Sequence, residues 1–232
     1  MDLQSIAEDA ILIRFHDEND LSPKLISLQY ELTNHPSLPI VEAVIGYCTI
    51  TIYFDPFKIS HQQLKLKLQE IIKDFGDSKN DQGTLHMIPV CYEEEYGIDL
   101  ATLADINHFS VEEVIKIHTS PIYHVGFLGF SPGFPFLTGM DQRLATDRRD
   151  KPRLEVAKGS VGIAGGQTGI YPSSSPGGWN IIGRTPINLL PFKKDRPTLF
   201  SPGDQLKFYA ISKSEFEQIY QEERTRHVIR GY

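Results

Sequence analysis

Glycine divides this chain into two kinds of sequence: four of its eighteen glycines lie before residue 100, and thirteen lie between Gly126 and Gly203. Glycine reaches positive φ and lets one backbone pass close to another. The second stretch is therefore expected to consist of tight turns and close crossings, while the first is free to hold longer regular elements. Two domains follow, a helix-containing first part and a turn-rich β second part. A chain of 232 residues is long enough to give each its own core.

In the first part Asp9–Phe15 reads as a strand. A helix is expected from near Leu21, with Ser22 as N-cap, Pro23 in the first turn, and Leu25, Ile26, Leu28 and Leu32 at helical spacing. His35-Pro36 ends it. Ile40–Ile45 and Thr49–Phe54 form a hairpin around Gly46. Ser60 with Gln63 is a capping box that opens a second helix through Leu64, Leu68, Ile71 and Ile72. Leu85–Cys91 supplies the closing strand. The order βαββαβ is the ferredoxin-like arrangement, and many unrelated functions use it.

From Asp99 two short helices are expected, Leu100–Asn107 and Val111–His118, the second capped by Ser110 with Glu113. Beyond Pro121, short apolar runs alternate with Pro/Gly turns: His124–Phe130, Val161–Ala164, Ile181–Ile182, Ile187–Leu190 and Gln205–Tyr209. That pattern indicates a β-barrel or sandwich with long loops. Ser214 and Glu217, at capping spacing, open a terminal helix that runs to Arg226.

The net charge of −7 argues against nucleic acid or an anionic membrane surface as a partner, since neither attracts an acidic protein over distance. The start MDLQSIAEDAILIRF lacks a basic segment followed by an apolar one, so no signal peptide is expected. No apolar run approaches the roughly 18–20 residues of a membrane span. Cys48 and Cys91 lie in apolar strand-like runs and read as free thiols of a reducing, cytoplasmic setting.

Three segments hold the candidate chemistry: 126–141, 159–186 and 200–208. Arg153 and Arg184 are cations suited to a carboxylate or phosphate, or to tying loops together through backbone carbonyls. Gln167 and Thr168, between Gly166 and Gly169, offer neutral donors and acceptors for an amide or a carboxylate, or for closing loops. Thr185 follows Arg184 in the same motif. Tyr171 and Trp179 serve either a pocket floor or the core. Phe130 and Phe134 belong to an aromatic loop, Phe127–Phe136, in a segment that either packs tightly on a barrel or lines a ligand or partner surface. His124 is the best-placed acid–base candidate, beside the plainer reading of a structural histidine. Neither His16/Asp17 nor His108/His118 has metal-ligand spacing, and no metal is expected. Ser173–Ser175 lacks the strand–turn–helix setting of a nucleophile elbow. There is no G-x-x-x-x-G-K-[ST] run, and Gly165–Gly169 sits among β segments rather than opening a helix, so it does not read as a phosphate cradle.

The run Gly165-Gly166-Gln167-Thr168-Gly169-Ile170-Tyr171-Pro172, with Ser175-Pro176-Gly177-Gly178-Trp179 and Gly183-Arg184-Thr185-Pro186, resembles the signature of the KipI/PxpB family. That family holds the B-type subunit of 5-oxoprolinase, also called allophanate hydrolase subunit 1, and is of the carboxyltransferase type, subdomains C and D. An earlier hallmark is matched by Gly129–Leu137, and the likeness extends to Ile88–Tyr92. The resemblance implies an α+β protein, with a ferredoxin-like domain over 1–84 and a cyclophilin-like β-barrel domain over 85–232. It implies pairing with a KipA-like C-type subunit and a hydantoinase-like A-type subunit, the three together opening 5-oxoproline to glutamate with consumption of ATP. The chain alone is then expected to be inactive, with ATP bound on another subunit. The alternative implied by KipI-like members is inhibition of a sporulation-type sensor histidine kinase through its dimerisation domain. A prolyl isomerase reading rests on barrel shape alone and is set aside. Two departures from the family pattern stand out: Val156-Ala157-Lys158-Gly159 replaces Val-Pro-Ala-Gly, and Thr146–Lys151 is unusually charged.

Overall fold

The computed structural model describes residues 1–16, 22–75, 83–191 and 197–229, which form two compact units, 1–82 and 83–232.

The first unit contains β1 (Asp2–Ala7), β2 (Ala10–Arg14), α1 (Ser22–Asn34), β3 (Ile40–Ile45), β4 (Thr49–Phe54) and α2 (His61–Asp74). Its sheet is antiparallel, in the order β1-β2-β4-β3. Ile11, Ile13, Ile50, Ile52 and Phe54 alternate onto one buried face, and Leu25, Leu28, Leu32, Leu64 and Leu68 are the buried residues of the two helices. Helical spacing in one set and a period of two in the other produce this match. The Ser60–Gln63 capping box is present, with Gln63 N donating to Ser60 Oγ and Ser60 N to Gln63 Oε1.

The expected βαββαβ order is corrected to ββαββα. Leu85–Cys91 does not close this sheet; β1 occupies the outer position beside β2. The reason lies in burial. Residues 88–91 are all buried, as in a strand covered on both faces, whereas β1 is almost wholly exposed and shows no apolar alternation. A tight turn between Ala7 and Ala10 sets the pairing of β1 instead.

The second unit contains β5 (Leu85–Cys91), α3 (Leu100–Ile106), α4 (Val111–Thr119), β6 (Tyr123–Leu128), β7 (Pro135–Thr138), β8 (Arg153–Val156), β9 (Ser160–Ala164), β10 (Gln167–Ile170), β11 (Ser175–Gly177), β12 (Asn180–Arg184), β13 (Gln205–Ile211) and α5 (Lys213–Ile229). Seven strands close into a barrel in the order β10-β7-β6-β13-β5-β12-β9, and β8 pairs with β11 apart from it. Strand β5 runs parallel to β13, so its partner lies more than a hundred residues away. Residues of β9, β10 and β12 alternate between two apolar clusters. Val161, Ile163, Ile170 and Ile182 join the main core with residues of α3 and α4, while Ala164 and Ile181 join Phe134, Val156, Tyr171 and Trp179.

Two local expectations change. Ile187–Leu190 forms an irregular loop rather than a strand, because the Asn188 side chain bonds both backbone groups of Leu190 and prolines flank the segment. The cap of α5 is Ser212 with Glu215, not Ser214 with Glu217. In that register Phe216 is buried against Tyr96 at the start of the helix.

Candidate functional site

Strands β9 and β10 are joined by the two-residue turn Gly165-Gly166, with Ala164 opposite Gln167. Gly165 has φ +56°, a conformation that L side chains rarely adopt, which explains the glycine. The turn links two strands and opens no helix. Thr146 is bridged to Gly165 through both backbone bonds, and Asn180 Nδ2 donates to Asp147 O at 2.8 Å. The charged segment 146–151 is thereby laid beside the turn. The result is an open cleft of about 730 Å³ whose lining includes Arg148, Arg149, Lys151, Gly165, Gly166 and Asn180.

Behind this cleft lies a charge cluster that sequence reasoning missed. Asp99 is 3% exposed. Its carboxylate accepts from Arg153 Nη1 (2.9 Å) and Nη2 (2.6 Å), Arg149 Nη1 (2.9 Å) and Ile181 N (2.7 Å). The bidentate carboxylate partner of Arg153 is thus supplied by the chain itself. Asp99 precedes α3 and looks like a helix cap in sequence, yet its side chain makes no capping bond. No short-range signal identified its partners, which lie 50 and 54 residues away.

Gln167 and Thr168 are adjacent but have different settings. Gln167, half-buried, begins β10 at the end of the glycine turn. Thr168 is fully buried, and its hydroxyl donates to Gly162 O at 3.0 Å. Its oxygen then accepts from His118 Nε2 at 3.1 Å, so His118 carries its proton on Nε2 and its Nδ1 accepts from Tyr92 Oη at 2.8 Å. Tyr123 Oη donates to the His118 carbonyl at 2.7 Å, and Phe208 stacks on the imidazole at 4.6 Å. Desolvation lowers the His118 pKa to about 3 and keeps the ring neutral.

Tyr171 is 1% exposed and lies edge-on to Phe134, which also meets Trp179 edge-on. Phe134 is buried in the same cluster, but Phe130 is 67% exposed and holds φ +65°. That left-handed conformation costs a non-glycine residue roughly 1–2 kcal/mol. His124 is half-buried on β6, between Thr138 and Gln205 in register, and its ring bonds to no described residue.

Arg184 and Thr185 lie at the opposite end of β12 from the cleft. Asn180 faces Ile163 and Arg184 faces Ser160, so the two ends are roughly 13 Å apart at strand rise. Arg184 Nε donates to Lys158 O at 2.7 Å, and Thr185 N to Gly159 O at 2.9 Å. Gly159 has φ +83°, and a Cβ there would sit 2.3 Å from Thr185 O. The sequence candidates are therefore not one site. Gly166 and Gln167 mark one end, with buried Thr168 next to them, and Arg184 marks the other, where Thr185 and Tyr171 are buried.

Among the described residues no group of three or more His, Cys, Asp or Glu could hold a metal ion. No helix among them is long and apolar enough to cross a membrane. Cys91 is a buried free thiol; Cys48, also free, is half-buried.

The chain thus combines a closed seven-stranded barrel, its strands joined by glycine-rich loops, with a separate α+β unit. The chain belongs to the family of the carboxyltransferase domain, subdomain C and D, whose family model matches residues 1–200. It is 37% identical to the B-type subunit of 5-oxoprolinase from Bacillus subtilis, over 95% of this chain and 97% of that one. The structure of an uncharacterized protein, PH0987, from Pyrococcus horikoshii is 41% identical, covers 93% of this chain and all of its own, and has a TM-score of 0.57. The urea amidolyase of K. lactis is 25% identical over 95% of this chain with a TM-score of 0.80, and this chain spans 15% of that enzyme.

Proposed function

We propose that this chain is the B-type subunit of a cytoplasmic ATP-dependent 5-oxoprolinase, which opens the ring of 5-oxoproline to L-glutamate. The observation that carries this reading is the near full-length likeness to the B-type 5-oxoprolinase subunit of Bacillus subtilis, 97% of that chain being covered. The lactam is an unstrained amide, so its hydrolysis needs coupling to ATP. The Gly165-Gly166 turn joins two strands, and in this reading ATP is bound by another subunit. A KipA-like C-type subunit and a hydantoinase-like A-type subunit complete the assembly, and this chain alone is inactive.

Its own contribution is one wall of a composite site. Gly166 and Gln167, at the β9/β10 turn, and Arg184, at the far end of β12, are the candidates for contact with substrate or partner, while Thr185 is buried and its hydroxyl accepts from Ile187 N. Arg153, Thr168, Tyr171 and Phe134 hold the loops in place, and exposed Phe130 offers an apolar contact to a neighbouring component. His124 is half-buried on β6 and its ring bonds to no described residue.

The test is ATP-dependent glutamate release from 5-oxoproline, comparing the purified chain with the chain mixed with its two partners. Release only from the full mixture supports the proposal. A stable assembled mixture that releases none overturns it.

A further inference from the structure

The basic cluster at the start of β9 has features of a built site. Three backbone bonds fix it: Gly159 N to Tyr171 O (2.7 Å), Thr185 N to Gly159 O (2.9 Å) and Tyr171 N to Ser160 O (2.9 Å). They bring Lys158 beside Arg184. The guanidinium is held from behind, by its Nε bond to Lys158 O and by the Phe216 ring 6.0 Å away. Its two terminal amino groups bond to no described residue, although Arg184 is half-buried. Lys158 Nζ donates to Asn188 Oδ1 at 2.7 Å, which holds the ammonium in one place. Desolvation lowers the Lys158 pKa; Glu223 opposes that shift and Arg184 adds to it.

An arginine tied only through Nε presents its terminal fork to solvent, and that fork matches the two oxygens of a planar oxyanion. The acid Glu223 acts on Lys158 and lowers the positive charge of the pair. That balance suits a monoanion better than a phosphate dianion. The cleft beside Gly165 differs, because there Arg149 already shares Asp99 with Arg153.

We propose that Arg184 and Lys158 form a subsite for the carboxylate of a small molecule, the guanidinium fork gripping both oxygens and the ammonium supplying the second charge. The inference rests on the 5-oxoprolinase reading only for which carboxylate this is; under it, the group is the carboxylate carried by 5-oxoproline.

The experiment uses the full chain labelled with ¹⁵N and follows the Arg184 Nε–H signal during titration with 5-oxoproline, acetate, 2-pyrrolidinone and inorganic phosphate. Both carboxylates should shift that signal and 2-pyrrolidinone, which lacks the carboxylate, should not. Arg184→Gln and Arg184→Lys should each weaken carboxylate binding about tenfold or more, and Lys158→Met about threefold, with the amide spectrum otherwise preserved. Unchanged acetate binding in Arg184→Gln, equal binding of 2-pyrrolidinone, or tighter binding of phosphate than of acetate would each overturn the subsite. Its failure is distinguishable from failure of the functional reading. An assembled complex whose KM for 5-oxoproline is unmoved by Arg184→Gln removes the subsite and keeps the enzyme. Carboxylates bound through Arg184 in a complex that releases no glutamate keep the subsite and remove the enzyme.

Discussion

Arg153 and Arg184 look alike in the sequence, two cations at the edges of one glycine-rich stretch, but the fold gives them opposite tasks. Arg153 commits both terminal amino groups to Asp99, which is almost fully buried and also binds Arg149 and the Ile181 amide. Among the described residues Arg184 hydrogen-bonds only through Nε, to the backbone carbonyl of Lys158, and is half-buried. The difference teaches that a cation's role follows from how many of its donors the protein itself uses. The same contrast separates Thr168, sealed in the core with His118, from Gln167 one residue earlier at the barrel's end.

The largest test of the sealed side concerns His118. Its pKa is depressed in the folded chain to about 3, while an unfolded histidine titrates near 6.5. Between those values the unfolded state binds more protons, so the stabilising contribution is complete above about pH 6.5 and is lost as pH falls toward 3. It amounts to roughly 4–5 kcal/mol over the window. Denaturant unfolding of the native chain and of His118→Leu at pH 7 and pH 4.5 measures it. The native chain should lose markedly more stability on acidification than the variant, and parallel losses would contradict the assigned burial.

Next in size is Asp99→Ala. It leaves Arg149 and Arg153 without their shared anion and should cost about 3 kcal/mol, read as a lowered denaturation midpoint. A near-neutral result would mean that Asp99 does not anchor the cleft. Thr168→Val should cost about 1–3 kcal/mol, because it strands the His118 Nε2 proton in the core. Thr168→Ser should recover most of that loss in the same unfolding assay.

Much of this was legible in advance. The capping boxes at Ser60 and Ser110, the hairpin at Gly46 and the barrel character of the glycine-rich half are local or compositional signals. The outer strand of the first sheet was not, because Asp2–Ala7 is exposed and lacks alternation. The placement of Leu85–Cys91 was hidden too, since its parallel partner β13 is remote in sequence and an apolar run does not say which sheet it joins. At the site, the motif identified the right segments. It left open whether each residue faces a ligand or the core, because that depends on partners such as Asp99 and His118, which sit 54 and 50 residues from the groups they bind.

The division between the two arginines is most directly tested by unfolding Arg153→Gln and Arg184→Gln side by side in denaturant at pH 7. The expected result is a loss of about 2–3 kcal/mol for Arg153→Gln, which leaves a buried carboxylate short of its partner, and less than about 0.5 kcal/mol for Arg184→Gln. Equal losses would show that Arg184 is as structural as Arg153 and would contradict the account.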